Sequence, residues 1–298
     1  MEEKHMKLYG ALEAGGTKMV LAVFRENGEL LEKESIPTQM PAETVPRMAA
    51  WFRERQVAAL GIGCFGPLDL NPASATYGYI TATPKLAWRN YPLLPAFRDA
   101  LGIPAALDTD VNGAALAEAR LGAARGLESC VYFTVGTGIG GGLIIHGRPV
   151  HGLVHPEIGH IAVCPAEGDP MPGGVCPYHG CCLEGMASGP AIEKRWGISA
   201  RQLPPGHPAW ELEAGYLAQA CAAAMFSFSP EKIIMGGGVM QQKFLFPLIR
   251  RKTVALLKGY IDHPAVAAGL CDYIVEPALG TESGIRGAFL LARSALSE

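Results

Sequence analysis

Hydrophobic positions in this chain come in short runs closed by glycine. Residues 8–36 (LYGALEAGGTKMVLAVFRENGELLEKESI) read as an apolar strand, a glycine turn, a second apolar strand, a turn at Asn27-Gly28 and a third strand. Asn-Gly between apolar runs is a strong hairpin signal, because both residues tolerate positive φ. Residues 130–154 (CVYFTVGTGIGGGLIIHGRPVHGLV) repeat the plan, with a second turn at His146-Gly147-Arg148 before another short strand. The chain therefore carries two copies of one supersecondary unit.

Outside these copies the spacing predicts helices over Ala42–Glu54, Leu93–Leu101, Tyr216–Phe226, Phe244–Leu257 and Ile285–Leu296. Strands are predicted at Val57–Cys64, Ala105–Leu107 and Lys232–Met235. Ala114–Leu121 is alanine-rich, includes Glu118 and forms a helix readily. That leaves Asp108-Thr109-Asp110-Val111-Asn112 where a strand ends and a helix starts. The Pro/Gly-rich stretch Cys164–Gly189 reads as an inserted loop, and a loop of this length is usually functional or stapled by metal.

The 298 residues suit two lobes or one large α/β unit. With 25 basic and 28 acidic residues the net charge is -3, which argues against a nucleic-acid-binding surface and for a globular protein. The 37 glycines are about 12% of the chain against a usual ~7%, with no collagen period, so they belong to tight turns or to ligands. No run approaches a membrane span, and the charged start, Met1 to Lys7, shows no targeting signal. A cytoplasmic protein with no membrane partner is expected. Eight cysteines without a secretory signal, two of them adjacent at 181 and 182, point to reduced thiols, some on metal.

Three glycine clusters carry candidate chemistry. Glu13-Ala14-Gly15-Gly16-Thr17-Lys18 and Gly136-Thr137-Gly138-Ile139-Gly140-Gly141-Gly142 occupy equivalent places in the two copies, and such turns let backbone N–H groups cradle phosphate oxygens. The plain alternative is a hairpin that needs positive φ. A cleft between the copies would bring both turns to one ligand. Gly136, Gly138 and Gly141 satisfy G-x-G-x-x-G, but a strand and turn follow where a dinucleotide site needs a helix. The third cluster, Gly236-Gly237-Gly238, ends a buried strand ahead of a helix, as a nucleotide-binding turn would.

Asp110 lies at the end of a strand, where α/β folds place ligands, although helix capping by Asp or Asn explains the segment equally. A phosphoryl acceptor there would need one carboxylate to orient its hydroxyl and take the proton. Cys176-x-x-His179-x-x-Cys182 with His160 supplies four ligands suited to a closed, structural zinc site, for whose last place Cys181 competes. Glu157 and Glu184 flank this set and are candidates to accept hydrogen bonds from a polyol, or are simply surface glutamates. Trp88 and the loop Thr81–Lys85 line the same pocket or belong to the core. Cys64, Cys130, Cys164, Cys221 and Cys271 read as buried small hydrophobes.

Taken in order, Glu13–Lys18, Asp108–Asn112, Gly136–Gly142, His155-Pro156-Glu157-Ile158-Gly159-His160 and Cys176-Pro177-Tyr178-His179 through Cys182-Leu183-Glu184-Gly185 resemble the ROK family of repressors and sugar kinases, closest to its bacterial fructokinase branch. The resemblance runs from about Leu8 to Leu291. It implies the two-domain, actin-like, hexokinase-type (ribonuclease H-like) α/β fold with a central nucleotide and sugar cleft. The domains expected are 1–117 with 283–298 returning to it, and 118–282 with a zinc-stapled loop.

The resemblance also implies roles. Asp110 becomes the base that activates the acceptor hydroxyl. Gly15, Gly16, Thr17 and Lys18 with Thr137 and Gly138 become the ATP phosphate turns, and Gly237 and Gly238 lie against the adenosine. Asn112, Glu157, His160 and Glu184 match sugar-site positions, and His160, Cys176, His179 and Cys182 match the zinc ligands. The activity implied is ATP-dependent phosphorylation of D-fructose at the 6-hydroxyl with Mg²⁺ and structural Zn²⁺, in a homodimer. A kinase of mannose or glucose, a sugar-sensing regulator and an actin-type ATPase are the alternatives. A regulator would carry a helix-turn-helix ahead of the first strand, and the zinc loop with its glutamates opposes the ATPase. Two positions depart from the pattern: Glu13 stands where the wider superfamily usually has Asp, and Cys181 where an acidic residue is expected.

Overall fold

The computed structural model describes residues 7–296, and their contacts divide into two compact units. Residues up to Ala117, the segment Pro149–Pro156 and the C-terminal part from Glu282 form unit 1; Glu118–Arg148 and Glu157–Thr281 form unit 2.

Unit 1 holds β1 (Leu8–Ala14), β2 (Lys18–Arg25), β3 (Leu30–Pro37), α1 (Pro41–Glu54), β4 (Ala59–Cys64), α2 (Leu93–Leu101), β5 (Ala105–Thr109) and the start of α3 (Asp110–Leu121). Its sheet runs β3-β2-β1-β4-β5, antiparallel across the first three strands and parallel from β1 to β5. Alternation along the strands feeds two cores. Leu12, Met19, Leu21 and Ile62 pack with Met48 and Phe52 of α1 and Phe97 of α2. Ala11, Val20 and Ala22 face the other way, against Ile285, Ala288 and Phe289 of the closing helix Ser283–Ala295. With both faces covered, β1, β2 and β4 are apolar almost throughout, and only edge strand β3 is largely exposed. The Asn27-Gly28 turn is present, with Gly28 at φ 86°.

Unit 2 repeats the plan with β6 (Cys130–Val135), β7 (Ile139–Ile145) and β8 (Arg148–Pro149), whose turn places His146 and Gly147 at positive φ. After α4 (Leu183–Ala187), α5 (Gly189–Trp196) and α6 (Ala209–Phe228), β9 (Ile233–Gly236) joins β6 in parallel. α7 (Leu245–Leu257), α8 (Pro264–Ala267) and β10 (Ile274–Val275) complete a sheet of order β10-β9-β6-β7-β8. The long loop is anchored by Asp169, which pairs with Arg195 of α5 at 2.9 Å and accepts the Tyr216 hydroxyl of α6 at 2.5 Å, all buried. Among the described residues no helix is long and apolar enough to cross a membrane.

Several elements extend beyond their sequence patterns. α3 starts at Asp110, four residues before the alanine run. α6 starts at Ala209 rather than Tyr216; its first two turns contain Glu213, 1% exposed and near Arg195, which interrupts the apolar run in the sequence. Cys64, Cys130 and Cys221 are buried as expected, but Cys164 and Cys271 are exposed. Both sit in irregular backbone, Cys164 at the loop edge held by Gln219 and Cys271 in the turns after α8.

Gly61 marks where the closing helix lies directly on β4. A methyl there would overlap the Ala288 carbonyl and the Ala292 amide. Gly61→Ala should therefore destabilise the protein by about 3 kcal/mol, the upper end for overpacking, since backbone cannot step aside. Gly215→Ala, a helical position with nothing within 4 Å of the added carbon, should leave the melting temperature unchanged or raise it. Thermal melts of the two variants check both.

Candidate active site

In unit 1 the first glycine turn closes the β1–β2 hairpin. The Gly15 amide donates to the Lys18 carbonyl at 3.0 Å, and Thr38 fastens the turn from β3's end, its amide to the Thr17 carbonyl and its hydroxyl to that of Gly15. Gly16 and exposed Thr17 are left at the tip. The Lys85 stem crosses this tip: a methyl on Gly16 would stand 2.9 Å from its Cε. The loop Thr81–Lys85 thus brings an ammonium to a turn otherwise built of backbone dipoles. Trp88, by contrast, belongs to the core, 2% exposed with its indole N–H donating to the Gln39 carbonyl at 3.0 Å.

Asp110 opens α3, directly after β5. The Val111 N–H donates to its Oδ1 at 2.9 Å, yet burial outweighs that bond and raises its pKa. Glu13 at the end of β1 is raised as well, first by burial and then by the charge of Asp110, against the opposing pull of Lys33 and Lys18. Asn112 is buried on the same helical turn, its Nδ2 donating to Asp108 at 2.8 Å.

In unit 2 the second turn brings two glycine clusters together. Because β6 and β9 run parallel with Thr134 opposite Gly236, the turn at Gly136–Gly138 emerges beside Gly237–Gly238. Gly237 has φ 95°, and any side chain on it would collide with the backbone of Val135. The Gly189 amide donates to the Gly136 carbonyl at 2.7 Å, which ties α5 to the turn. Thr137 is exposed at its tip.

Glu184 is held where the spacing alone did not put it. Its Oε2 accepts the Ile139 N–H at 2.9 Å, and it lies so close that a methyl on Gly138 would stand 2.6 Å away. Glu157 is exposed at the head of the single turn Ile158–His160. That turn is clamped on β7 by two absent side chains: Gly159 abuts the Ile139 carbonyl, and Ile158 fills the space above Gly141.

His160, Cys176, His179 and Cys182 converge, with one donor atom from each within 4.8 Å of the others. The His160 Nδ1 lies 3.5 Å from the Cys182 Sγ and 3.9 Å from the Cys176 Sγ, which is 3.7 Å from the His179 Nδ1. Two thiols and two imidazoles at these separations could hold a metal ion. Cys182 joins the group and Cys181 does not. The Ala162–Cys182 bridge and the paired bonds between Cys176 and Gly180 build the frame.

The ROK family model matches residues 9–295, and the chain belongs to that family. It is 44% identical to the fructokinase of Pediococcus pentosaceus over 97% of this chain and 99% of that one. It is 43% identical to the fructokinase of Zymomonas mobilis over 97% of each. Among solved structures, the ROK hexokinase from Thermus thermophilus superposes with a TM-score of 0.79 at 29% identity, covering 97% of this chain and 99% of that chain. The fold is thus the hexokinase-type α/β fold of the family.

The two raised carboxyls carry a stability consequence. Each binds a proton more readily folded than unfolded, so its ionisation costs stability once the pH passes its unfolded value, about 4. Asp110→Asn and Glu13→Gln should each melt above the parent near neutral pH, with the gap closing as the pH falls toward about 4. Thermal melts across that range read it.

Proposed function

We propose that the protein is an ATP-dependent fructokinase, transferring the γ-phosphoryl group to the 6-hydroxyl of D-fructose to give fructose 6-phosphate and ADP. The observation that carries the phosphoryl-transfer reading is Asp110, a carboxyl with a raised pKa at the first turn of α3. The choice of fructose rests on the full-length identity to two fructokinases.

In this reading Asp110 takes the proton of the 6-hydroxyl as that oxygen bonds to the γ-phosphorus, while the bond to the bridging oxygen breaks and ADP leaves with its electron pair. A raised pKa makes the carboxylate a better acceptor, at the cost of an acid limb set higher than for an exposed Asp. The Gly15–Lys18 turn and Thr137 with Gly138 cradle phosphates through backbone N–H groups, and Gly237 and Gly238 let the nucleotide lie against backbone. Asn112, Glu157, His160 and Glu184 position the sugar. Mg²⁺ bound with ATP offsets the charge of its phosphates. Zinc on His160, Cys176, His179 and Cys182 is structural, since four protein ligands leave no open position. We infer a cytoplasmic homodimer, as the family resemblance implies.

The test is a coupled ADP-release assay with Mg-ATP, comparing fructose, mannose and glucose. The highest kcat/KM should fall on fructose; a higher value on another hexose replaces the substrate, and no turnover on any sinks the kinase reading. Asp110→Asn should keep ATP binding and lose about two to four orders of magnitude in turnover.

Elemental analysis tests the metal separately. Cys176→Ser and Cys182→Ser should lose bound zinc, whereas Cys181→Ser should keep it; unchanged zinc in Cys182→Ser overturns that ligand.

A further inference from the structure

The segment Pro149–Pro156 brings two histidines to unit 1 that none of the roles above uses. The buried His155 accepts the Leu68 N–H on its Nε2 at 3.0 Å, which pins the segment. His151, more exposed, reaches Asp108. The Asp108 carboxylate is 3% exposed and fully engaged: Oδ1 accepts the Thr109 N–H at 2.7 Å and the Asn112 Nδ2 at 2.8 Å, and Oδ2 lies 3.0 Å from the His151 Nε2.

A carboxylate has no proton to give, so each of these partners donates. His151 must therefore carry a hydrogen on Nε2. The 3.4 Å approach of the Asn112 Nδ2 to the same nitrogen is then a contact of two donors, not a bond. The Asn112 amide is fixed too, nitrogen toward Asp108.

Asp108 grips both sides of Asp110. It holds Thr109 before it and the Asn112 side chain after it, while the Asn112 backbone N–H donates to the Thr109 Oγ1 at 3.0 Å. The turn that presents Asp110 is thus built around a buried negative charge, and His151 is the group that answers that charge. We propose that Asp108 and His151 form a positioning dyad for Asp110, with His151 holding the Asp108 carboxylate in the orientation that locks the first turn of α3. The proposal rests on the phosphoryl-transfer role of Asp110. Both residues act through that turn and touch no reacting atom.

The dyad works with His151 neutral or charged, since Nε2–H is present in both forms. The groups facing the ring are Asp108 of β5 and Asn112 of α3, with His155 on its own segment. The bond to Asp108 raises the pKa of His151.

Three variants and one spectrum test this. His151→Ala should lower kcat on fructose about tenfold or more, the scale of a misplaced catalytic group, with KM for ATP within about twofold of the parent. His151→Gln, whose amide nitrogen can take the place of Nε2, should restore kcat to within about threefold of the parent. Parental kcat in His151→Ala overturns the dyad, and so does a Gln variant as impaired as Ala. Imidazole ¹⁵N NMR of the whole protein reads the pair without any substrate. The parent should show His151 protonated on Nε2 and titrating above an ordinary histidine, and Asp108→Asn should return it to the ordinary range. An Nδ1 tautomer in the parent refutes the dyad. The Nε2 tautomer in a protein that phosphorylates no hexose instead keeps the dyad and sinks the fructokinase reading.

Discussion

At three places backbone lies directly on backbone, and only a residue without a side chain permits it. Gly61 lets the closing helix settle on β4, Gly159 lets the His160 turn settle on β7, and Gly237 lets the end of β9 meet Val135. At each of them an added methyl would stand 2.4 Å or less from a backbone atom of the facing segment. The consequence is positional. A short turn carrying Glu157 and His160 has little hydrogen bonding of its own, and it acquires a fixed place because it cannot move toward β7 or be lifted from Gly141 without opening a void under Ile158. The glycine excess in the composition is spent on these approaches as well as on turns with positive φ.

Three carboxyls of unit 1, one at the end of β1 and two at the β5–α3 junction, show how surroundings divide roles among similar groups. Asp108 is nearly inaccessible, and its carboxylate oxygens are met by three donors that it organises. Asp110 has the N–H groups of Val111 and of its own backbone to oppose its burial, and they do not outweigh it, while Glu13 suffers both burial and the charge of Asp110. Two residues apart in sequence, Asp108 and Asp110 therefore differ in what they can do: one anchors, and the other is left under-solvated and ready to accept a proton. The turn that carries Asp110 is held from within by Asn112 and from outside by the histidine segment 149–156.

What could be read in the sequence was local. The repeated hairpin, the turns at Gly15 and Gly136 and the Cys176–Cys182 spacing are each set by residues within a few positions, and the structure has them. α6 was half legible, because its apolar run is interrupted near its start by Glu213, a carboxyl pushed strongly toward its neutral form by burial. The exposure of Cys164 and Cys271 followed from irregular backbone that no periodicity marks. Least legible were contacts made across long stretches of chain. His151 meets Asp108 across 43 residues and Ile139 meets Glu184 across 45, and nothing in either local pattern names the partner.

The Glu184 contact changes what the cysteine cluster is for. Cys182 is the N-terminal cap of α4, Glu184 lies in that helix's first turn, and its carboxylate accepts the amide of Ile139 at the end of the second glycine turn. From the other side, the Gly189 amide at the start of α5 holds the Gly136 carbonyl. The turn is thus gripped at both shoulders by the stretch Cys182–Gly189, whose first residue is one of the four that could hold a metal ion. Fixing Cys182 fixes the register of α4, and the register of α4 decides whether Glu184 reaches Ile139. The convergence of His160, Cys176, His179 and Cys182 therefore bears on the geometry of the glycine turn as directly as on the His160 turn, and the long insertion becomes a brace for both.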